Sequence, residues 1–418
     1  MKIAIIGGGI SGLTCATLLN DQHDITLYEA NDYLGGHTHT VDVEVHNKTY
    51  AIDTGFIVFN NRTYPNFINL LTKLDVAWQA TEMSFSVCDE TTGLEYNGHN
   101  LNTLFAQRRN LFNPRFYKML SEIARFNRQC KALAVASKLD EKLSLGQFLA
   151  QHRYSAYFQQ NYVLPMVAAI WSSSLDDAQD FPLAFFVRFF MNHGLLNIRN
   201  RPTWYVVKGG SRQYVRAIEK RLGESVRLSS PVQSISRKEN QVEIHSNGQT
   251  EDYDEVIIAS HSNQALTMLS DPNKDERSVL GALAYQPNEV VLHTDKRLLP
   301  KSQRAWASWN YRLRKVSDHS ARPAQVSYIM NILQGIHSDT SFIVSLNQTE
   351  YIDPTQILGR YNYDHPVYTN ETEAARRQRD KIDGHNRTHY CGAYWYNGFH
   401  EDGVRSALDV VQRFGANL

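Results

Sequence analysis

Gly7, Gly9 and Gly12 follow the apolar run Lys2-Ile-Ala-Ile-Ile6 in a Gly-x-Gly-x-x-Gly spacing, and Glu29 stands 22 residues beyond Gly7, behind a second apolar run. The chemistry of that pattern is diphosphate binding. Gly7 permits the tight turn out of a strand, Gly9 leaves bare backbone for a diphosphate to approach, and Gly12 lets the next helix pack closely on the sheet. The helix that begins at Ser11, just after Ile10, turns its unpaired N–H groups and dipole to the phosphates. Glu29, followed by Ala30, is spaced to bind a ribose hydroxyl. An acid there repels a 2′-phosphate, which disfavours NADP and favours NAD or FAD.

Other reactive side chains are read from their spacing. His37, His39 and Asp42 are metal-ligand types, but their alternate spacing on a chain that turns toward a diphosphate argues against a metal site. Cys15, Cys88, Cys130 and Cys391 form no Cys-x-x-Cys pair and are too scattered for a metal cluster or a disulfide framework. Reduced thiols in a cytoplasmic protein are expected. Residues 104–131 carry seven basic residues, one acid (Glu122) and interleaved aromatics. Such a helix either lies on an anionic membrane and admits lipid to a pocket, or sets a solvated face against a core-facing aromatic stripe.

The elements that must position these residues alternate in kind. Segments 2–6 and 25–29 are expected as parallel strands around a helix over 11–20, followed by a hairpin over 41–45 and 48–52. From about residue 64 helices are expected over 66–74, 116–136, 145–152 and 183–190, with short strands over 83–88 and 93–96. Strands return at 204–207, 225–228, 232–237 and 242–245, and 255–259 is a continuous apolar run suited to a buried parallel strand. A last helix is expected over 403–412. Nucleotide-type segments thus come in three pieces with other material in two gaps. We expect an α/β protein with a discontinuous Rossmann-type domain (1–63, 203–265 and 382–418) interleaved with an α+β domain (64–202 and 266–381).

Composition narrows the classes further. A chain of 418 residues is too long for one small core. Lys+Arg and Asp+Glu are both 43, so bulk charge gives no reason to expect nucleic acid. The 22 Tyr, 18 Phe and 6 Trp suit the lining of a large apolar pocket as well as an ordinary core. The N-terminal apolar run is a strand, too short for a signal peptide or a membrane span, and no other stretch reaches the roughly 18 apolar residues a spanning helix needs.

Together these motifs resemble the flavin-containing amine oxidoreductases, a superfamily that includes monoamine oxidases, protoporphyrinogen oxidases and phytoene desaturases. The resemblance covers most of the chain. Gly7-x-Gly9-x-x-Gly12 with Glu29 matches the ADP-binding start, and Leu34-Gly35-Gly36-His37 matches the second glycine motif, which lies against the FAD pyrophosphate. Most members carry Arg where this chain has His37; a neutral imidazole donates one hydrogen bond but is not a permanent bidentate cation. The resemblance further implies that Asp53-Thr54-Gly55-Phe56 brings backbone up to the flavin, that Val232 meets the adenine, and that Ala259 ends the next buried strand. Gly392-Ala393 and Glu401-Asp402-Gly403-Val404 would place a helix N-terminus at the isoalloxazine O2, where negative charge gathers on reduction.

More narrowly, Gly35-Gly-His-Thr-His-Thr40, Asp53-Thr-Gly-Phe-Ile-Val-Phe-Asn60 and Cys391-Gly-Ala-Tyr-Trp-Tyr-Asn-Gly-Phe-His-Glu-Asp-Gly403 look like a bacterial subgroup labelled only as predicted NAD/FAD-binding proteins. Its members are often encoded beside enzymes that resemble cyclopropane-fatty-acid synthases, which points to acyl-lipid chemistry. By the same resemblance, Tyr394-Trp395 either walls the substrate pocket or packs the core. His400 either carries a proton at the flavin edge or holds the helix start in place. Cys391 does not sit where the superfamily's attachment cysteine lies, so non-covalent FAD is expected. Many amine oxidases place a Lys that reaches flavin N5 through a water; Tyr285-Gln-Pro-Asn288-Glu289 offers Asn288 or Glu289 instead, which leaves desaturase or isomerase chemistry open.

The resulting expectation is an FAD-dependent oxidoreductase that abstracts hydride from a C–H bond of an apolar or amphipathic substrate such as an acyl lipid. Oxygen or a quinone would reoxidise it. It would use no metal and no nucleic acid, in the cytoplasm, with peripheral membrane contact through 104–131. The alternatives are a flavin amine oxidase, and a non-catalytic lipid-binding protein on the same fold, like the prenyl-Rab escort family.

Overall fold

A computed structural model of the chain describes residues 1–136, 139–140, 142–197, 200–315 and 324–418. Five parallel strands form one sheet in the order Val226–Arg227, Asp24–Tyr28, Lys2–Ile6, Glu255–Ile258, Thr388–Tyr390. Three distant stretches of chain therefore build a single sheet. Its central strands are unbroken apolar runs because both faces are covered. On one face lies the helix Ile10–Leu19, buried along its whole length, packed against Arg212–Leu222 and His400–Val411. On the other, Ile235, Val242, Ile244 and Tyr253 of a three-stranded antiparallel sheet pack with Ala4, Ile6, Val256 and Ile258.

Two glycines allow the closest approaches under this sheet. A Cβ on Gly12 would lie 1.9 Å from the Gly7 carbonyl oxygen, and one on Gly403 would lie 2.6 Å from Ile10 Cγ2. The Ser11 hydroxyl donates to the Gly403 carbonyl at 3.0 Å, which ties the two helices where they meet.

A second sheet has seven strands in the order Ile357–Pro366, Tyr285–His293, Ile343–Leu346, Val326–Ile329, Trp309–Leu313, Phe85–Asp89, Leu94–Asn97. Neighbours are antiparallel except Trp309–Leu313 with Phe85–Asp89, which run parallel with Trp309 opposite Phe85. Beside this sheet, the helices Pro114–Val135, Leu145–Gln151, Leu164–Trp171 and Leu183–Asn192 enclose an aromatic core. Phe126 is at its centre, with the rings of Phe148, Tyr154, Phe158 and Phe186 at 5.6–6.1 Å.

Two features go beyond the sequence reading. Trp204–Val207 does not join the parallel sheet; it pairs antiparallel with Phe59–Asn60 and Trp78–Thr81 and so spans the two kinds of segment. Residues 156–171, for which no element was expected, fold as Ala156–Phe158, a π turn over Gln159–Val163, and the helix Leu164–Trp171. That helix ends at Ser172 in the left-handed conformation, φ 54°. A π turn re-aims the side chains that follow it and is frequent beside functional sites.

Candidate active site

One cavity of about 1150 Å³ is lined from both sheets. At one end the loop after Lys2–Ile6 presents backbone alone. A Cβ built on Gly9 would meet nothing within 4 Å, so the space over it is open. Gly36, at φ +57°, comes so close that its Cβ would lie 3.2 Å from Gly9 Cα, which brings the two glycine motifs together. Gly9 caps the helix Ile10–Leu19 without a side-chain hydrogen bond, and no acid stands in the first turn. The helix N–H groups therefore remain available to an anion. Glu29, 7% exposed, accepts from the Gly8 N–H at 2.8 Å and from the Asn31 N–H and side-chain amide at 2.8 and 2.9 Å.

Every residue expected to bind the cofactor lines this cavity except Gly12, Gly403 and Val404, which pack the helices beneath it. Thr54, Gly55 and Phe56 reach it because the Phe56 N–H donates to the His37 carbonyl at 2.8 Å. A Cβ on Gly55 would sit 2.0 Å from that same carbonyl oxygen. The preceding Asp53 is fully buried and accepts from Thr40, the Ser211 amide and hydroxyl, and Gln334 at 2.5–3.2 Å. Burial pushes its carboxyl up to about 6.

Among the described residues six histidines line the cavity, and burial holds His37, His193, His261, His365 and His400 below their ordinary value and so neutral at pH 7. Burial, then the neighbouring His365 and His261 rings, hold His37 well below its ordinary value. Burial takes His365 to about 4 and His400 to about 3, and lowers His261. The His37 ring lies 5.8 Å from His261, 5.6 Å from His365 and 5.3 Å from Tyr363. His365 Nδ1 accepts from the Ser172 hydroxyl at 3.0 Å and the Asn288 amide at 3.3 Å, which places the proton on Nε2. His400 stacks on Phe56 at 3.5 Å, and its Nε2 is held by Thr38 at 2.8 Å and Tyr214 at 3.1 Å. Of the two expectations for His400, this geometry favours holding the helix start over carrying a proton.

The other end of the cavity is aromatic and apolar, with Met83, Phe85, Tyr162, Met166, Ile170, Trp171 and Trp309 among its walls. Tyr394 lines the cavity, whereas Trp395, also expected there, does not. Trp395 turns into the core, 5.0 Å from the Tyr394 ring, with the Arg379 guanidinium 5.2 Å above its own. Adjacent residues in a single turn point to opposite sides, and Gly392, whose Cβ would lie 2.2 Å from Tyr394 Cε1, leaves room for only one of the rings. Asn288 and Glu289 do not line the cavity. Asn288 is buried one layer behind His365 and bonded to Asn347 at 2.9 Å, and no lysine stands among the described lining residues. Among the described residues no His, Cys, Asp and Glu side chains gather into a metal-ligating group.

Several lining positions escaped the sequence reading. Tyr162, Met166, Ala169 and Ile170 come from the 156–171 segment, where their spacing of four, three and one marks one helical face. Tyr363 and His365 come from Ile357–Pro366, where two-residue alternation was the available signal. His193 also lines the cavity. It stacks on Phe189 at 3.9 Å and donates Nδ1–H to the Phe189 carbonyl at 3.0 Å, which leaves Nε2 as an acceptor. Burial lowers His193 to about 4. Among the described residues, five buried polar atoms on the lining have no protein partner: Trp171 Nε1, Trp309 Nε1, His261 Nδ1 and the Tyr368 and Tyr394 hydroxyls. A pocket that keeps such donors free is one built to receive a ligand.

A glycine cradle joined to an aromatic chamber across two sheets defines a flavoprotein oxidoreductase. Residues 10–414 match the family described as flavin containing amine oxidoreductase, and the chain belongs to that family. It is a flavin-dependent oxidoreductase. Among solved structures it is similar in fold to a CLA-producing fatty acid isomerase from P. acnes, with a TM-score of 0.71 at 16% identity over 99% of this chain and 98% of that one. It is likewise similar to the cyclohexylamine oxidase from Brevibacterium oxydans, with a TM-score of 0.67 at 15% identity over 99% of both chains. A curated tryptophan 2-monooxygenase from Allorhizobium ampelinum is 54% identical over 41 residues, 9% of this chain and 6% of that protein's length.

Proposed function

We propose that the chain binds FAD non-covalently and oxidises a C–H bond in an apolar or amphipathic substrate, an acyl lipid in our reading. The observation that carries the proposal is the composition of the cavity. Among the described residues its charged lining side chains are Glu29 at the glycine cradle, Asp364 beside the His261–Tyr285 stack, and Arg201 at the rim. Among the described residues the aromatic chamber between them offers an ammonium group ring faces but no carboxylate, and a desolvated cation without a counter-charge is costly. An acyl chain meets no such cost there. The same fold houses a fatty acid isomerase, so it accommodates acyl chains.

The residues fit FAD. In this reading the Gly7–Gly9 backbone and the first turn of Ile10–Leu19 hold the diphosphate, Glu29 the ADP ribose and Val232 the adenine. His37 would donate one neutral hydrogen bond to the diphosphate, and the loop from Gly392 to His400 would hold the ring. No cysteine lines the cavity among the described residues, which supports attachment without a thioether. The bound flavin would accept hydride from the substrate and pass electrons to oxygen or a quinone. The protein's share is orientation and exclusion of water. Tyr162, Met166 and Trp171 hold the chain, Tyr394 limits its approach, and the neutral imidazoles add no fixed positive charge of their own to draw in water. We assign the cofactor unit to 1–63, 203–265 and 382–418, and the substrate unit to 64–202 and 266–381.

The test is anaerobic mixing of the purified yellow protein with acyl lipids and with amines while flavin absorbance is followed. Bleaching by acyl lipids is expected. Bleaching by amines alone would make the protein an amine oxidase, and a colourless protein that takes up no FAD would leave a non-catalytic lipid binder.

A further inference from the structure

We infer that residues 101–118 form a docking surface for an anionic lipid bilayer, placed at the mouth of the cavity. The inference rests on the reading above only for what then enters the cavity. Phe112 is 89% exposed and Leu101 75%, and Leu111 and Tyr117 are exposed beside them. These rings and chains are not overflow from the core, because Pro114–Val135 already buries Phe116, Met119 and Phe126 on its inner face. The patch is one surface. The Tyr117 hydroxyl donates to the Leu111 carbonyl at 3.1 Å, the Phe105 and Tyr117 rings are 6.0 Å apart, and Arg108 Nη1 donates to the Phe105 and Asn102 carbonyls at 2.8 and 3.2 Å.

Its charge has one sign. Arg108, Arg109, Arg115 and Lys118 are exposed around the apolar side chains, and no acidic residue occurs from 96 to 121. Among the described residues Arg108 and Arg109 bond only to carbonyl and amide oxygens, so their charge is uncompensated. In a chain of net charge zero this concentration fits a negatively charged partner. Exposed Phe and Leu inside a basic ring match a bilayer interface, where apolar groups enter the acyl boundary and cations meet the phosphates. The surface also adjoins the cavity. Gly98 and His99 are exposed, both line the cavity, and Asn100 immediately after them caps the turn Leu101–Leu104. A lipid chain leaving the bilayer at this surface reaches the aromatic chamber without crossing water.

Co-sedimentation of the flavin-loaded protein with vesicles tests the inference. Vesicles of equal parts phosphatidylglycerol and phosphatidylcholine should retain the protein, and vesicles of phosphatidylcholine alone should not. Added salt should weaken retention. Phe112→Ser should lower the partition coefficient roughly tenfold, and Arg108→Gln, Arg109→Gln and Arg115→Gln about fivefold each, with flavin content unchanged as the check on folding. Wild type that stays in the supernatant overturns the inference. So do variants that bind like wild type, or a concentration-dependent dimer that Phe112→Ser abolishes. Flavin reduction by detergent-dispersed acyl lipid is read separately. Docking without reduction would remove the substrate reading alone, and reduction without docking would remove this inference alone.

Discussion

The two ends of the cavity are made of different material. The cradle is backbone: Gly7, Gly9 and Gly36 meet the space, and the nearest side chain, Glu29, is itself tied to the Gly8 and Asn31 amides. The chamber is side chain: rings and thioethers from a π-turned helix, a strand of the second sheet and the Gly392–His400 loop. A backbone surface binds what every member of a cofactor class shares, the diphosphate. A side-chain surface can change residue by residue. One end should therefore tolerate no added atoms, and the other should tolerate many at the cost of rate or selectivity.

The sharpest way to break this contrast is inside the cradle itself. Gly12→Val should prevent folding, because its Cβ would stand 1.9 Å from the Gly7 carbonyl oxygen. We expect a loss of about 3 kcal/mol or more, read as insoluble expression or a collapsed urea midpoint. Gly9→Val, three residues earlier, has an ordinary backbone (φ −76°) and open space around its Cβ. It should fold normally yet lose FAD affinity by about two orders of magnitude in a fluorescence titration. If both variants fail alike, Gly9 is a packing residue and the cradle is misassigned.

In the chamber, Ile170→Ala should leave FAD affinity unchanged and slow anaerobic flavin reduction by an acyl substrate by roughly tenfold. The last effect concerns protons. His365 is held to about 4 in the fold against an ordinary value near 6.5, so the unfolded chain takes up a proton first as pH falls. The stability tied to its neutral form is present above pH 6.5 and is lost between there and about 4. His365→Gln should therefore flatten the dependence of unfolding free energy on pH in that window by about 1.4 kcal/mol per pH unit, read from urea midpoints at several pH values.

This division also decides what could be read in advance. The cradle was legible because its demands are local: a missing Cβ, a helix start and an acid at fixed spacing suffice, and the strands around it are short apolar runs. The chamber was not, because its residues meet only through long-range packing. Tyr394 and Trp395 show the limit. They are adjacent and chemically alike, yet only Tyr394 lines the cavity, a choice made by Gly392 and by Arg379 across the core. The lysine substitute expected at Asn288 or Glu289 failed for a related reason. Strand register places Asn288 behind His365, a residue that no motif had singled out.

The parallel pairing of Phe85–Asp89 with Trp309–Leu313 has a consequence for the order of synthesis. When Phe85–Asp89 and Leu94–Asn97 leave the ribosome, their partner strand has not yet been made. At bacterial and eukaryotic translation rates the wait is roughly ten to forty seconds. Throughout it, one edge of a two-strand ribbon is open to pairing with any other chain. Glu95 waits for the same downstream stretch: in the fold its carboxylate accepts from the Lys301 and Ser302 amides at 2.9 Å, so the ribbon gains its partner strand and the partners of this buried acid together.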